Sequence, residues 1–319
     1  MDFDITVGKY RLAYVESVTV KRSVETLADT AVIVLPSAVF NKALEIEGKI
    51  SEGDRVIVRF GYDGYLREIP TEFEGYVESI STDDGSIKLN CEDELYRLRK
   101  DLKDAALSTT TVKALLQRVI DEIGGLDLSC DYDFKYDKFT IYNATGFDVL
   151  KKVQDETKAN IYLKGTTLHV HPQYVEIGKN VIYDFAVNVE KSDLKYKDAS
   201  KRKLIATIKG TDAAGKTVSV TKGTPGGDKF TLEIPGVSDR ATLEKRAEEE
   251  LKTRAYSGYE GSITGWLIPA VEPTDTAVIR DKDYEHKSGK YYVVAVETSF
   301  SASGGSRKVT IGKKIDKNG

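Results

Sequence analysis

The chain has 319 residues with 47 basic and 51 acidic side chains, a net charge of -4, so it is long enough for real hydrophobic cores and shows no cationic bias toward nucleic acid. Its two cysteines, Cys91 and Cys130, are too few for a disulfide framework, and no apolar run approaches the length of a membrane span. The opening Met1-Asp2-Phe3-Asp4 lacks the basic and apolar stretches of a signal peptide, so export by the general secretory route is not expected.

Residues 1–97 read as strands. Val15, Ser17 and Thr19 alternate with Glu16, Val18 and Val20, and Ala31 to Leu35 form an apolar run stopped by Pro36. A short helix is expected from Ser37 to Leu44. Strands follow at Val56-Ile57-Val58, at Phe73 to Ile80, and at Ile87-Lys88-Leu89 after a turn at Asp83-Asp84-Gly85. From 98 to 178 the period changes. Val112, Leu115, Leu116, Val119 and Ile123 share a helical face that ends at Gly124-Gly125, and a second helix starts at Thr145 with an inner face of Phe147, Leu150 and Val153. That helix feeds a hairpin, Ile161 to Leu163 turning at Lys164-Gly165 into Leu168 to Val170.

From 179 strands resume at Val181-Ile182-Tyr183, Leu204 to Ile208, Thr217 to Val220 and Phe230 to Ile234. A helix over 238–255 places Leu243, Ala247 and Leu251 on one side and Glu244, Glu248, Glu249 and Glu250 on the other. The chain then repeats its early pattern: Ala277-Val278-Ile279, Tyr291 to Phe300, a turn at Ser303-Gly304-Gly305 and a return through Val309-Thr310-Ile311. Glu78 to Gly85 and Glu297 to Gly304 span the same seven positions, so one β module is present twice. The fold expected is mainly β with an α+β insert. Two similar barrel-like β domains, 1–97 and 179–319, flank a small helix-containing domain, 98–178.

Residues for chemistry are scarce. His169 and His171 share a strand face but have no third metal ligand nearby in sequence, so a solvated face is the expected reading, and His286 is expected in a loop. Cys91 stands between Asn90 and Glu92-Asp93, acidic neighbours that raise a thiol pKa, and reads as an ordinary half-buried cysteine. The run Gly223-Thr224-Pro225-Gly226-Gly227-Asp228 lacks the Gly-Lys-Ser/Thr ending of a phosphate loop. Asp83-Asp84-Gly85 lacks the alternate carboxylates of a calcium loop. Asp54, Glu74, Asp148, Asp155 and Glu156 are carboxylates any two of which could meet as an acid and base. The basic cluster Lys195, Lys197, Lys201, Arg202 and Lys203 is expected to pair with acids of the 238–255 helix, within or between subunits, at least as readily as with phosphate. No catalytic, metal or cofactor-binding residue is assigned.

Four segments then carry a family likeness: Gly53 to Val58, Glu72 to Val77, Cys91 to Leu98, and Asn188-Val189 with Ser192 to Tyr196, completed by the C-terminal strand pair. In this order they resemble the baseplate or tail-tip hub proteins of bacteriophages, the late control protein D group, and the hub part of type VI secretion spike proteins. The resemblance covers nearly the whole chain and implies a homotrimer in which two barrel-like domains per chain form a pseudo-sixfold ring around a channel. It implies a structural protein without cofactor that adapts a sixfold tail tube to a threefold spike or tip. Its partners would be itself, the tail tube protein, a spike or tail-tip protein and the tape measure protein, with no sequence-specific nucleic acid and no membrane insertion. Its place would be the virion tail baseplate or tip, or an injection apparatus, assembled in the bacterial cytoplasm. No appended spike, lysozyme or peptidase region is expected. The rival reading is a secreted carbohydrate-binding or carbohydrate-cleaving β protein, which calls for an aromatic platform. The lone Trp266, within Trp266-Leu267-Ile268, reads instead as core.

Overall fold

A computed structural model describes residues 2–36, 49–62, 69–83, 86–174, 178–212 and 214–315. The expected helix at Ser37 to Leu44 and the turn residues Asp84 and Gly85 lie outside the described residues. Strands β1 (Asp2–Val7), β2 (Tyr10–Leu12), β3 (Ser17–Ser23), β4 (Thr30–Leu35), β5 (Arg55–Gly61), β6 (Thr71–Asp83) and β7 (Ser86–Glu92) come first. The middle region holds β8 (Ala105–Leu107), β9 (Thr110–Thr111), helix α1 (Val112–Ile123), β10 (Asp127–Cys130), β11 (Lys135–Tyr136), β12 (Phe139–Ile141), α2 (Gly146–Thr157), β13 (Asn160–Lys164) and β14 (Thr167–His171). Then follow β15 (Asn180–Asp184), β16 (Lys191–Lys197), β17 (Leu204–Thr211), β18 (Thr217–Gly223), β19 (Asp228–Pro235), α3 (Arg240–Arg254), β20 (Gly258–Gly265), β21 (Thr276–Arg280), β22 (Gly289–Ser301) and β23 (Gly304–Lys314).

The chain divides into two compact units. One comprises Met1–Arg97, Ile177–Asp193 and Gly261–Ile311, and the other Leu98–Glu176, Leu194–Glu260 and Gly312–Gly319. In the first, the repeat read from sequence is a repeat of topology. The strands β1, β3, β4, β5, β6 and β7 neighbour one another in the order β1-β5-β6-β7-β4-β3, and β15, β16, β20, β21, β22 and β23 in the order β15-β21-β22-β23-β20-β16. Six strands thus recur in the same chain order and the same spatial order. One pairing differs, because β1 lies antiparallel to β5 whereas β15 lies parallel to β21. The two modules join where β3, an edge strand of the first, pairs with β22, an inner strand of the second, from Ala295↔Ser23 to Ser301↔Ser17. The strand path is open at its ends, so among the described residues the barrel-like closure expected for each module is not formed within one chain.

Alternation along these strands fixes the core. Ile5, Val7, Val18, Val20, Ile33, Leu35, Val56, Val58, Phe60, Val77, Leu89 and Cys91 turn to one face, joined there by Leu267 and Phe300 of the second module. In the second unit, α1 buries Val112, Leu115, Leu116, Val119 and Ile120, so Ile120 takes the inner place expected of Ile123. Thr145 caps α2 through a reciprocal capping box with Asp148. The inner face of α2 is Val149, Leu150 and Val153. Phe147, expected inside, is half-buried with the Arg99 guanidinium 4.4 Å from its ring centroid, because the cap places the first turn at the surface. On α3, Leu243 and Ala247 are buried as expected, but so is Glu250, held by Arg246 at 2.6 Å and Arg254 at 2.7 Å.

Candidate functional site

Three of the segments that carry the family likeness interlock. Gly53, at φ +83, shapes the turn into β5, and the Asp54 carboxylate accepts from the Ser51 amide at 2.8 Å. Arg55 then pairs with Glu74 at 2.9 Å and with Glu94, which also accepts from the Tyr76 hydroxyl at 3.2 Å. Gly75 is required for packing, since a Cβ there would stand 2.0 Å from the Glu92 carbonyl oxygen. These motif residues are joints between strands β5, β6 and β7.

A buried polar network ties the two modules together. Glu72 of β6 accepts from Arg307 of β23 at 2.5 Å, and both side chains are almost wholly buried. Arg307 also donates to the Thr298 hydroxyl at 3.3 Å and to the carbonyls of Leu267 and Pro269. The second Glu72 oxygen meets Arg22 of β3 at 3.5 Å. Such a pair gains its rigidity from the surrounding hydrogen bonds, which offset part of the cost of removing both charges from water. Close to Arg22, the Asp29 amide donates to Asp93 at 3.0 Å, and Asp93 also accepts from the Leu95 amide at 2.9 Å. Burial pushes the Asp29 carboxyl up to about 7, against the pull of Arg22, and raises Asp93 well above the usual carboxylate range.

The sheet face opposite the core carries lateral rows in which small polar side chains predominate, with Val32, Val34 and Lys88 among them. Ser79, Asn90, Val32, Thr19 and Ser299 stand side by side across β6, β7, β4, β3 and β22, and Ser81, Lys88, Val34, Ser17 and Ser301 form the next row. A charge pair lies on it as well, where Lys21 meets Glu297 at 3.4 Å. The face continues over β20 and β23, where Ser262, Thr264, Ser306 and Lys308 with Glu297 and Asp193 border a hollow of about 410 Å³. The alignment of these residues across strands far apart in the chain carried no sequence signal.

The structure places the individually considered residues as follows. His171 is buried, at 7% exposure, and its Nδ1 lies 2.6 Å from Asp131 Oδ1, while His169 Nδ1 lies 3.3 Å from His171 Nε2. The expected solvated histidine face is therefore wrong for His171, because the side chain of Asp131, one residue beyond β10, reaches over to it. Among the described residues, no group of three or more His, Cys, Asp or Glu side chains is arranged to hold a metal. His286 lies in a single turn between β21 and β22. Cys91 is fully rather than half buried, and its thiol is pushed up to about 12 by burial first and Glu78 second. The Asp148 carboxyl is held low by the Thr145 hydroxyl it caps, Asp155 pairs with Lys151 at 2.8 Å, and burial raises Glu156. Lys197 pairs with Glu260, and the α3 acids Glu244 and Glu248 take Lys222 at 3.6 and 3.1 Å instead of the 195–203 cluster.

Trp266 is 57% exposed, which overturns its assignment to the core. Consecutive residues of extended chain point to opposite sides, and past the end of β20 it is Leu267 that turns inward. Trp266 instead borders a groove of about 810 Å³ with Ile182, Val187, Ile268, Pro269 and Tyr62.

No family model and no curated protein matches the sequence. Solved structures do. The fold is similar to that of a tail protein from Neisseria meningitidis MC58, at 14% identity and a TM-score of 0.67 over 98% of this chain and 96% of that one. It is similar to the 43 kDa tail protein of prophage MuSo2 from Shewanella oneidensis, at 16% identity and a TM-score of 0.65 over 98% of both chains. A third similar structure is an E. coli component of the type VI secretion system, at 10% identity and a TM-score of 0.59 over 99% of this chain and 80% of that one. The resemblance read from the sequence is thus met in three dimensions: along nearly its whole length, this chain has the fold of phage tail proteins and of a type VI secretion component that shares it.

Proposed function

We propose that the chain is the structural hub of a phage tail or phage-like injection baseplate. Three copies form a ring with pseudo-sixfold symmetry that adapts a sixfold tube to a threefold spike or tip and leaves a central channel. The observation that carries this reading is the six-strand topology present twice in one sheet path, with a tail-protein fold around it. Three chains with two like modules present six like surfaces to one side while keeping threefold symmetry on the other. The open strand path fits the same idea, since closure of the barrel then belongs to the ring. The polar sheet face suits the channel wall. Its Ser, Thr and Asn side chains and paired charges offer a passing polymer no aromatic platform and no single-sign field to hold it.

In this reading the intervals 1–97 and 179–319 supply the two modules and 98–178 a helical insert. The chain performs no catalysis and needs no cofactor, and its partners are the tube protein, a spike or tip protein and the tape measure protein in a virion baseplate or injection apparatus assembled in the cytoplasm. Single-particle electron microscopy of the purified chain, alone and mixed with the tube protein of the same tail, tests it. Threefold rings whose two modules are related by about 60° around the ring axis are expected. A chain that stays monomeric at all concentrations and leaves tubes uncapped overturns the reading.

A further inference from the structure

The two modules of the repeat differ at one edge. In the first, β1 is flanked on its outer side by β2 of the same chain, through Ile5↔Leu12 to Val7↔Tyr10. In the second, the counterpart β15 pairs among the described residues with β21 alone. Residues 180, 182 and 184 turn their backbone groups outward from that parallel pair. Asn188 covers part of this edge by taking the place of a strand: its amide oxygen accepts from the Asp184 amide at 2.8 Å and its amide nitrogen donates to the Ile182 carbonyl at 3.0 Å. The edge is thus blocked against strand addition. What it presents is side-chain surface, with Val187 at 74% and Ile182 at 43% exposure beside Trp266, around the groove of about 810 Å³. A contiguous exposed apolar patch of this kind marks a binding surface.

We propose that this groove receives the β2 end of a second copy of this chain, with Tyr14 as the inserted aromatic. The inference rests on the hub reading for its ring and supplies the contact that closes it. From β2 the strand neighbours run through β1, β5, β6, β7, β4 and β3 to β22, where one branch continues through β23 and β20 to β16 and another through β21 to β15, so β2 and β15 are both terminal strands of one sheet. A head-to-tail contact between such ends closes into a ring when the rotation permits. The ends also match in chemistry. Tyr14, just beyond β2, is 65% exposed, and two residues later comes the exposed Glu16. The one charged side chain bordering the groove among the described residues is Lys179, which lies 4.0 Å from Asp275 and is itself largely exposed. An aromatic followed by an acid meets an apolar groove with a lysine at its rim.

The test mixes chains carrying Ala13→Cys, beside Tyr14, with chains carrying Ala270→Cys, at the groove border, both in a Cys130→Ser background, and adds a short bismaleimide. A covalent dimer that requires both partners is expected. In parallel, Val187→Asp is measured by mass photometry over a concentration series, with a thermal melt to confirm the fold. It should raise the concentration at which rings form by at least about thirtyfold, the loss typical of a central interface anchor. Rings that persist unchanged in Val187→Asp, or a mixture that assembles without linking, overturn the groove as the contact while leaving the hub reading intact. A wild-type chain that never assembles overturns both.

Discussion

At the scale of residues, two buried charge arrangements make opposite predictions. Asp29 has its pKa raised to about 7 by burial, so the folded chain binds its proton more tightly than the unfolded chain does. The sign follows from linkage. This group's contribution to stability is complete below about pH 4 and is lost as pH rises through about 7, a swing of at most about 4 kcal/mol. The first unit is therefore expected to melt at a lower temperature at pH 7.5 than at pH 4.5, and Asp29→Asn to shrink that difference, the remainder belonging to the likewise raised Asp93. A wild type and variant with parallel pH profiles would show that Asp29 is charged in the folded state. Glu72 and Arg307 behave otherwise, because each is the other's buried counter-ion. Glu72→Leu alone or Arg307→Met alone should cost about 3–5 kcal/mol in urea denaturation, and the double substitution should cost clearly less than either, since no unpaired charge is left behind.

At the scale of elements, Gly75 shows how tightly the repeated strands are joined. An alanine there places its Cβ 2.0 Å from the Glu92 carbonyl, where the β6–β7 pairing begins and β6 also pairs with β5. Gly75→Ala is expected to cost about 2 kcal/mol or more, with hydrogen exchange speeding up first in β6 and β7. Unchanged protection there would mean the strands have room to part. Sequence reading recovered these elements where the signal is local. Period 2 in Phe73 to Ile80 and Tyr291 to Phe300, turn residues at Gly304, and the Thr145 cap each lie within a few residues of what they control. It failed where polar contacts or element ends that apolar patterning does not mark decide the outcome. His171 is buried by Asp131, 40 positions away, and Glu250 by its arginine neighbours on a helix face that looked solvated. The choice between Trp266 and Leu267 for the core was settled by the end of β20, which apolarity alone does not mark. The Glu72–Arg307 contact, across 235 positions, had no sequence signature at all.

At the scale of the molecule, the first unit is assembled from three separated stretches of chain, which makes its cooperativity testable at one side chain. Phe300 belongs to β22 of the second module, yet its ring stacks 5.3 Å from Phe60 and lies 5.5 Å from Phe3, both of the first. It is buried in the first module's core, on the strand that also carries the β22–β3 seam. Truncating it removes a large ring from a close-packed site that cannot refill from one side, so Phe300→Ala should destabilise the unit by about 3–5 kcal/mol. The location of the damage is more telling than its size. If the modules fold as one body through the seam, amides of β5 in the first module and of β21 in the second lose protection together and by the same free energy. If the repeat consists of two independent folding units placed side by side, β5 is weakened while β21 keeps its protection. The proposed hub, holding two like surfaces in fixed register, calls for the former, because a seam that opens separately from the modules lets their symmetry drift.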